Sequence, residues 1–327
     1  LQHSVNLSSE ILLITGAQGF VGLPLSKALV NLGYQVRGAV RDEPLINKTL
    51  NTISIGDING DTAWAEALVD VSVVIHLAAR VHVMNEKADD ALSAYRKVNV
   101  LGTLNLAKQA VLAGVKRFIF ISSIKVNGEA TALGHAYNEE QSPAPVDAYG
   151  LSKYEAELAL QQLAQETGLE LVIIRPVLIY GPGVKANFKA MMRCLDLGLP
   201  LPLGAIHNQR SLLALDNLID LIQLCIVHPA AANQTFLASD GMDLSTPELL
   251  TAMAAALGKS ARLIKLPESL LMMGAKLVGK QAMAQRLCGS LQVDSSKARE
   301  LLAWQPPVSV QVALHKVADA YREAKAC

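Results

Sequence analysis

The chain has 327 residues, 51% of them hydrophobic and 18% charged, which is enough apolar material for a sizeable core and too little charge for a disordered chain. Lys and Arg number 29, Asp and Glu also 29, and aromatics are only 4%, so the basic surplus and the stacking platforms of a nucleic-acid binder are missing. The length suits two domains, or one large α/β unit with an appendage.

In the first half, Ile11–Thr15, Gln35–Val40, Val71–Leu77, Arg117–Ser122 and Leu171–Arg175 are predicted strands. Leu23–Leu32, Trp64–Val69, Asn99–Ala113 and Tyr149–Glu166 carry helical spacing between them. Unbroken apolar strands alternating with helices predict a parallel sheet covered on both faces, and right-handed crossovers make it doubly wound, a Rossmann-like α/β fold. After residue 175 the rhythm breaks at Pro176, Gly181-Pro182-Gly183, Pro200 and Pro202. Phe188–Leu197 is a predicted helix and Arg210–Ala214 a short strand, with Asp216 as the cap of Asn217–Val227. Ser245 or Thr246 caps a further helix with Pro247 just inside and Glu248 in its first turn. Leu270–Val278, with Lys276 inside it, is too short to span a bilayer and is predicted to be a packed helix. Leu1–Glu10 has neither the basic nor the apolar region of a signal peptide. Cys194, Cys225, Cys288 and Cys327 form no CxxC pair and have no metal-like His partners, so no metal site is expected and a reducing, cytoplasmic setting is.

Gly16-Ala17-Gln18-Gly19-Phe20-Val21-Gly22 joins the first strand to the first helix. There Gly16 permits a tight turn, Gly19 lets the backbone approach a pyrophosphate, and Gly22 lets the helix pack on the strand. The helix N-terminus then faces the anion. The G-x-x-G-x-x-G spacing resembles the short-chain dehydrogenase/reductase superfamily.

An NAD site usually has an acid at the end of the second strand, where this chain reads Val40 and then Arg41, with Arg37 on the same strand. Guanidinium groups there favour the 2′-phosphate of NADP, while Asp42 keeps a ribose contact and NAD open. The resemblance implies that Asp57 and Ile58 lie near the adenine. Leu77-Ala78-Ala79 ends the fourth strand, and its two alanines are small enough for a cofactor to lie against the backbone. Asn99, at the family's asparagine position, is expected to hold backbone groups.

Tyr149 and Lys153 stand four apart, on one face of a helix. A phenol normally ionises near pH 10, and a neighbouring ammonium and an oxidised nicotinamide would lower that value enough for it to act as a base. Lys153 is also expected on the nicotinamide ribose. Ser122 and Ser123 end the fifth strand; the resemblance makes Ser123 the hydroxyl of a Ser–Tyr–Lys triad and leaves Ser122 a structural partner.

Arg175-Pro176, Tyr180-Gly181-Pro182-Gly183, Arg210 and Ser296 to Pro306 extend the resemblance to the superfamily's extended branch of nucleotide-sugar epimerases, dehydratases and reductases. It is nearest to the UDP-N-acetylhexosamine 4-epimerases and UDP-4-keto-6-deoxy-N-acetylhexosamine 4-reductases. Dehydratases carry an acidic pair where this chain has Ile124 and Lys125, which disfavours elimination. The resemblance implies diphosphate contacts from Asn187 and Arg210, a cofactor contact from Pro176, and a homodimer formed through a helix pair that includes Tyr149–Glu166. Phe188 and the run ending in Pro202-Leu203 are candidates for a uracil slot, and His82 for the sugar pocket.

The expected domains are 1–175, with a return segment 208–240, for the dinucleotide, and 176–327 mainly for substrate. The expected activity is 4-epimerisation of a UDP-N-acetylhexosamine with NAD or NADP. The alternative is NADPH-dependent reduction of a UDP-4-keto-6-deoxy-acetamido sugar. Reduction of a small apolar ketone, as in the flavonol- and steroid-type branch, leaves Asn187 and Arg210 without a purpose. A non-catalytic cofactor-binding module leaves Tyr149 and Lys153 without one.

Overall fold

Along β1 (Ile11–Thr15), Leu12 and Ile14 enter one hydrophobic core and Leu13 enters another, all three fully buried. That alternation is what covering both faces of a sheet requires of a strand. The computed structural model describes residues 10–42, 51–81, 88–277 and 279–326. After β1 come α1 (Gly22–Asn31), β2 (Gln35–Val40), β3 (Asn51–Ser54), β4 (Val71–His76) and α2 (Ala88–Tyr95). A π-helical turn (Arg96–Gly102) leads into α3 (Thr103–Leu112), then β5 (Arg117–Ile121), α4 (Ala148–Thr167) and β6 (Glu170–Pro176).

β7 (Leu178–Tyr180), α5 (Ala186–Asp196), β8 (Arg210–Ala214), α6 (Leu215–Val227) and β9 (Gln234–Ala238) follow. The chain continues through β10 (Asp243–Leu244), α7 (Thr246–Ala256), α8 (Glu268–Leu277), α9 (Gln281–Cys288), α10 (Ser296–Leu302) and α11 (Val310–Ala326).

Seven strands form a parallel sheet in the order β3-β2-β1-β4-β5-β6-β9. One face is covered by α1, α6 and α10, through Leu25, Leu218 and Leu302; the other by α3 and α4, through Leu106 and Leu160. This is the doubly wound fold expected. Strand order reverses between β1 and β4, and ligands of such sheets bind at that crevice, beyond the strands' C-terminal ends. A third core gathers α5, α7, α11 and residues of β7 and β8. Asn217 of α6 stitches it to the large sheet: its amide donates to Val308 O and accepts Val308 N–H, both at 2.9 Å. No described helix is long and apolar enough to cross a membrane.

Two local expectations fail. Residues 64–69 form hydrogen-bonded turns, not a helix. Asp70 takes φ 60°, and the Ala67 and Val69 carbonyls accept from Arg37 rather than from helical N–H groups. Asp216 lies inside the first turn of α6, bonded to Lys316 at 3.0 Å, and the cap position falls to Ala214. α8 forms as the helix expected and packs in part, with Leu271 and Met272 half-buried on the third core and no residue fully buried. The helix at Ser245 starts as anticipated, with Ser245 and Glu248 capping each other.

Candidate active site

The parallel register sets Thr15 beside Ala39 on one side and His76 on the other. The segments that follow β1, β2 and β4 therefore emerge along one edge: the glycine turn, Arg41 and Leu77-Ala78-Ala79. Gly16 has φ +68°, and a Cβ there would lie 3.1 Å from Ala78 N and 3.2 Å from Ala78 Cα. At Gly22 a Cβ would fall 2.1 Å from Gly16 O. Only glycine allows this approach. The first turn of α1 holds no acidic residue. Gln18 and Gly19 are exposed, while Phe20 and Val21 pack partly on the core. Bare N–H groups at a helix start, in a cradle a Cβ would fill, suit the diphosphate of a dinucleotide.

His76, at the end of β4, is buried between the Thr15 hydroxyl (2.7 Å from Nδ1) and the Thr103 hydroxyl (2.9 Å from Nε2). Thr15 Oγ1 also accepts Ala78 N–H at 3.1 Å, so this hydroxyl ties the glycine turn to the alanine strap while the imidazole ties it to the start of α3. Burial, and next the charge of Lys153, hold its pKa down at about 3, which keeps the ring neutral.

Arg37 is not at this edge. Its guanidinium donates to Ala67 O at 2.8 Å and Val69 O at 2.7 Å, away from any 2′-phosphate. β2 carries it mid-strand, and the open carbonyls of the 64–69 turns lie within its reach. Arg41 does stand at the edge, where its Nε meets Asp57 at 3.0 Å with both side chains exposed. Ile58 is half-buried beside the π-helical turn, where a Cβ on Gly102 would come 2.5 Å from it. Pro176, at the end of β6, is buried.

The catalytic candidates gather past β5. The Ser123 hydroxyl hydrogen-bonds the Tyr149 phenol. Lys153 is buried on the next turn of α4, its Nζ donating to Ile121 O at 2.7 Å and lying 4.3 Å above the Phe120 ring. Burial lowers the Lys153 pKa to about 7. Tyr149 is pushed up to about 12, first by burial and then by the Asp147 carboxylate, with the Ser123 hydrogen bond pulling the other way. The protein's own groups thus hold the phenol protonated.

Neighbouring side chains brace this cluster. Ser122 donates to Glu157, which pairs with Arg175 at 2.5 Å, and Arg175 reaches Asn127 at 2.9 Å. Asn99 accepts Arg80 N–H at 2.8 Å and donates to Arg80 O and to the Ser152 hydroxyl. Asp147 caps α4 through Gly150 N–H at 2.7 Å and pairs with Lys125, which also holds Glu129 at 2.6 Å. Ile124 is buried in the core and Lys125 is occupied by carboxylates, so neither position offers an acid beside Ser123.

At the other end, Arg210 starts β8 and donates to Arg286 O at 3.0 Å and Gly289 O at 2.9 Å. Burial, then the nearby Arg286 charge, lowers its pKa. Two guanidinium groups without a carboxylate partner among the described residues suit a diphosphate. Arg286 was missed because an arginine in the last turn of α9 reads as an ordinary partner of the helix dipole. Asn187 is exposed in the first turn of α5, and no described contact joins it to Arg210. Phe188 is not an open platform: it is 2% exposed and stacks on Tyr180, because the ring at the third position of α5 faces the third core. Pro202 is half-buried in a segment bridged to Leu263. His82 lies outside the described residues.

A family model, the NAD dependent epimerase/dehydratase family, matches residues 12–237. The chain is 49% identical over 316 residues to a UDP-glucose 4-epimerase of Vibrio cholerae, covering 96% of each sequence. It is 28% identical over 307 residues to the N-acetyl-alpha-D-glucosaminyl-diphospho-ditrans,octacis-undecaprenol 4-epimerase of Escherichia coli O157:H7, covering 89% of each. The fold matches that of UDP-N-acetylglucosamine 4-epimerase from Bacillus cereus with a TM-score of 0.77, at 22% identity, over 96% of this chain and 97% of that one. With the glycine turn, the triad cluster and these likenesses together, the chain belongs to the NAD dependent epimerase/dehydratase family.

Proposed function

We propose that the protein is a UDP-sugar 4-epimerase that uses NAD, with Ser123, Tyr149 and Lys153 as its catalytic residues. The observation that carries this reading is the Ser123–Tyr149–Lys153 cluster beside the crevice of the glycine turn. The UDP-glucose 4-epimerase of Vibrio cholerae, alike over nearly its whole length, supports the sugar class and the reaction. Arg210 and Arg286 would hold the diphosphate, with the segment around Pro202 as a wall for the base. The acetamido group expected from the sequence is kept as the substrate's substituent to test first.

Gly16, Gly19, Gly22 and the start of α1 would hold the cofactor's diphosphate, Leu77-Ala78-Ala79 would support it, and Lys153 would bond the nicotinamide ribose. A bound oxidised nicotinamide supplies a hydride acceptor at C4 and a positive ring that favours phenolate. Tyr149 takes the proton of the sugar 4-hydroxyl and returns it to the same oxygen after the 4-keto sugar has turned over in the site. Ser123 donates to that oxygen and holds it toward Tyr149. NAD is preferred to NADP because Arg37 is bound to backbone carbonyls and Arg41 to Asp57, so no arginine pair is assembled for a 2′-phosphate. Exposed Leu112 on α3 and Leu158 on α4 support a homodimer through that helix pair.

NMR of UDP-GlcNAc and, separately, UDP-glucose incubated with the protein and trace NAD tests the proposal. Interconversion with the 4-epimer and no net change in nicotinamide absorbance is expected for at least one of the two sugars. Tyr149→Phe should lower the rate by roughly 100- to 10,000-fold without unfolding the chain. Oxidation of NADPH with a UDP-4-keto-6-deoxy sugar, and no interconversion, would replace epimerase by reductase.

A further inference from the structure

An amphipathic helix normally hides its apolar stripe, as α7 does with Leu249, Leu250 and Met253. α8 does the reverse. Leu271 and Met272 rest half-buried against the third core, while Leu270, Met273 and Leu277 are 47%, 58% and 82% exposed. Their i, i+3, i+7 spacing places them on one stripe of the helix, pointing outward. Ile264 before α8 and Met283 on α9, which packs against α8, add exposed apolar surface.

Cations lie close to this stripe along the chain. Between residues 262 and 280 the chain carries Arg262, Lys265, Lys276 and Lys280 against Glu268 alone, in a protein of zero net charge. All four are exposed, and none has a carboxylate partner among the described residues. A second copy of the chain related by a two-fold axis would bring this charge against itself, which opposes a dimer here. Apolar side chains flanked along the chain by Lys and Arg suit a surface that is anionic outside and apolar just beneath.

We propose that α8 and α9 form a peripheral docking surface for an anionic lipid bilayer, with Leu270, Met273 and Leu277 entering its interface and the flanking lysines resting on the headgroups. The attachment is reversible and weakens with salt, because electrostatics supplies part of it. It is independent of which sugar the active site takes.

The test is flotation of the full-length protein with vesicles of phosphatidylcholine alone and of an equimolar mixture with phosphatidylglycerol. The wild type should float with the mixed vesicles and not with phosphatidylcholine. Reversing Lys276 and Lys280 together to Glu should weaken partitioning by roughly tenfold or more. Met273→Asp with Leu277→Asp should abolish it even at low salt. Both double variants should keep the wild-type circular dichroism and soluble-substrate turnover, since these side chains are exposed and belong neither to the triad nor to the Arg210–Arg286 pair. Absence of wild-type flotation, or flotation unaffected by both double variants, overturns the proposal. So does a sedimentation equilibrium in which Leu277→Asp converts a dimer to monomer, which would assign the stripe to a second copy.

Discussion

The side chains proposed to perform the chemistry are held by others that do not. His76 is the clearest case, since its ring holds the Thr15 hydroxyl that bonds the strap after β4, and stacks on Phe120, the ring beneath Lys153. Its folded pKa, about 3, lies below the ordinary 6.5. Between these values the unfolded chain binds a proton that the folded one refuses, so stability falls as the pH drops from 6.5 toward 3. The slope contributed is at most about 1.4 kcal/mol per pH unit. In His76→Gln, urea denaturation across that window should show a shallower loss of stability than the wild type; an unchanged slope would remove His76 as the source. Lys153 works in the opposite part of the scale. Its pKa is lowered from 10.5 to about 7, so the cost of burying its charge is relieved as the pH rises through that window.

Among the elements, α1 shows how a residue choice becomes a binding surface. The helix starts on the glycine turn only because no side chain stands between Gly22 and Gly16 O. Gly22→Ala places a Cβ inside that gap and forces α1 off β1. A loss of about 1–3 kcal/mol in stability is expected, together with weakened NAD binding. Thermal melts and fluorescence titration with NADH measure the two separately, and full NAD affinity in the variant would show that the turn does not hold the diphosphate. The π-helical turn between α2 and α3 serves position rather than core. It carries Asn99, which binds the Arg80 backbone and the Ser152 hydroxyl, and so links the strap after β4 to the helix of Tyr149 and Lys153.

For the whole molecule, the joint between the large sheet and the third core depends on a few buried polar groups. Asn217 is fully buried and serves both backbone groups of Val308 as well as the Asp240 carboxylate, at 2.7 Å. Asp240 also accepts from Tyr180 at 2.9 Å and from Ala214 N–H. Asn217→Ala leaves these groups buried and short of partners, at about 1–3 kcal/mol each. Its melting temperature should fall sharply, and the binding of UDP-sugar should weaken with it. A melt indistinguishable from wild type would show that the joint does not rely on Asn217.

The strands, the helix carrying Tyr149 and Lys153, and the glycine turn were legible in the sequence because each rests on local spacing: alternation into two cores, an i, i+4 pair, and glycine where no Cβ fits. Direction and partnership were not local. Arg37 and Arg41 look equivalent along the chain, yet one spends its guanidinium on carbonyls 30 residues away and the other meets Asp57. Phe188 has the composition of a binding platform but sits where α5 turns it inward, and the stripe of α8 has the composition of a core but faces outward. Arg286 joins Arg210 only because α9 ends against β8. Sequence alone decided which segments could fold and which residue types the chemistry had available. Tertiary structure decided which of them face each other, because burial and hydrogen-bond partners are set by segments far apart in the chain.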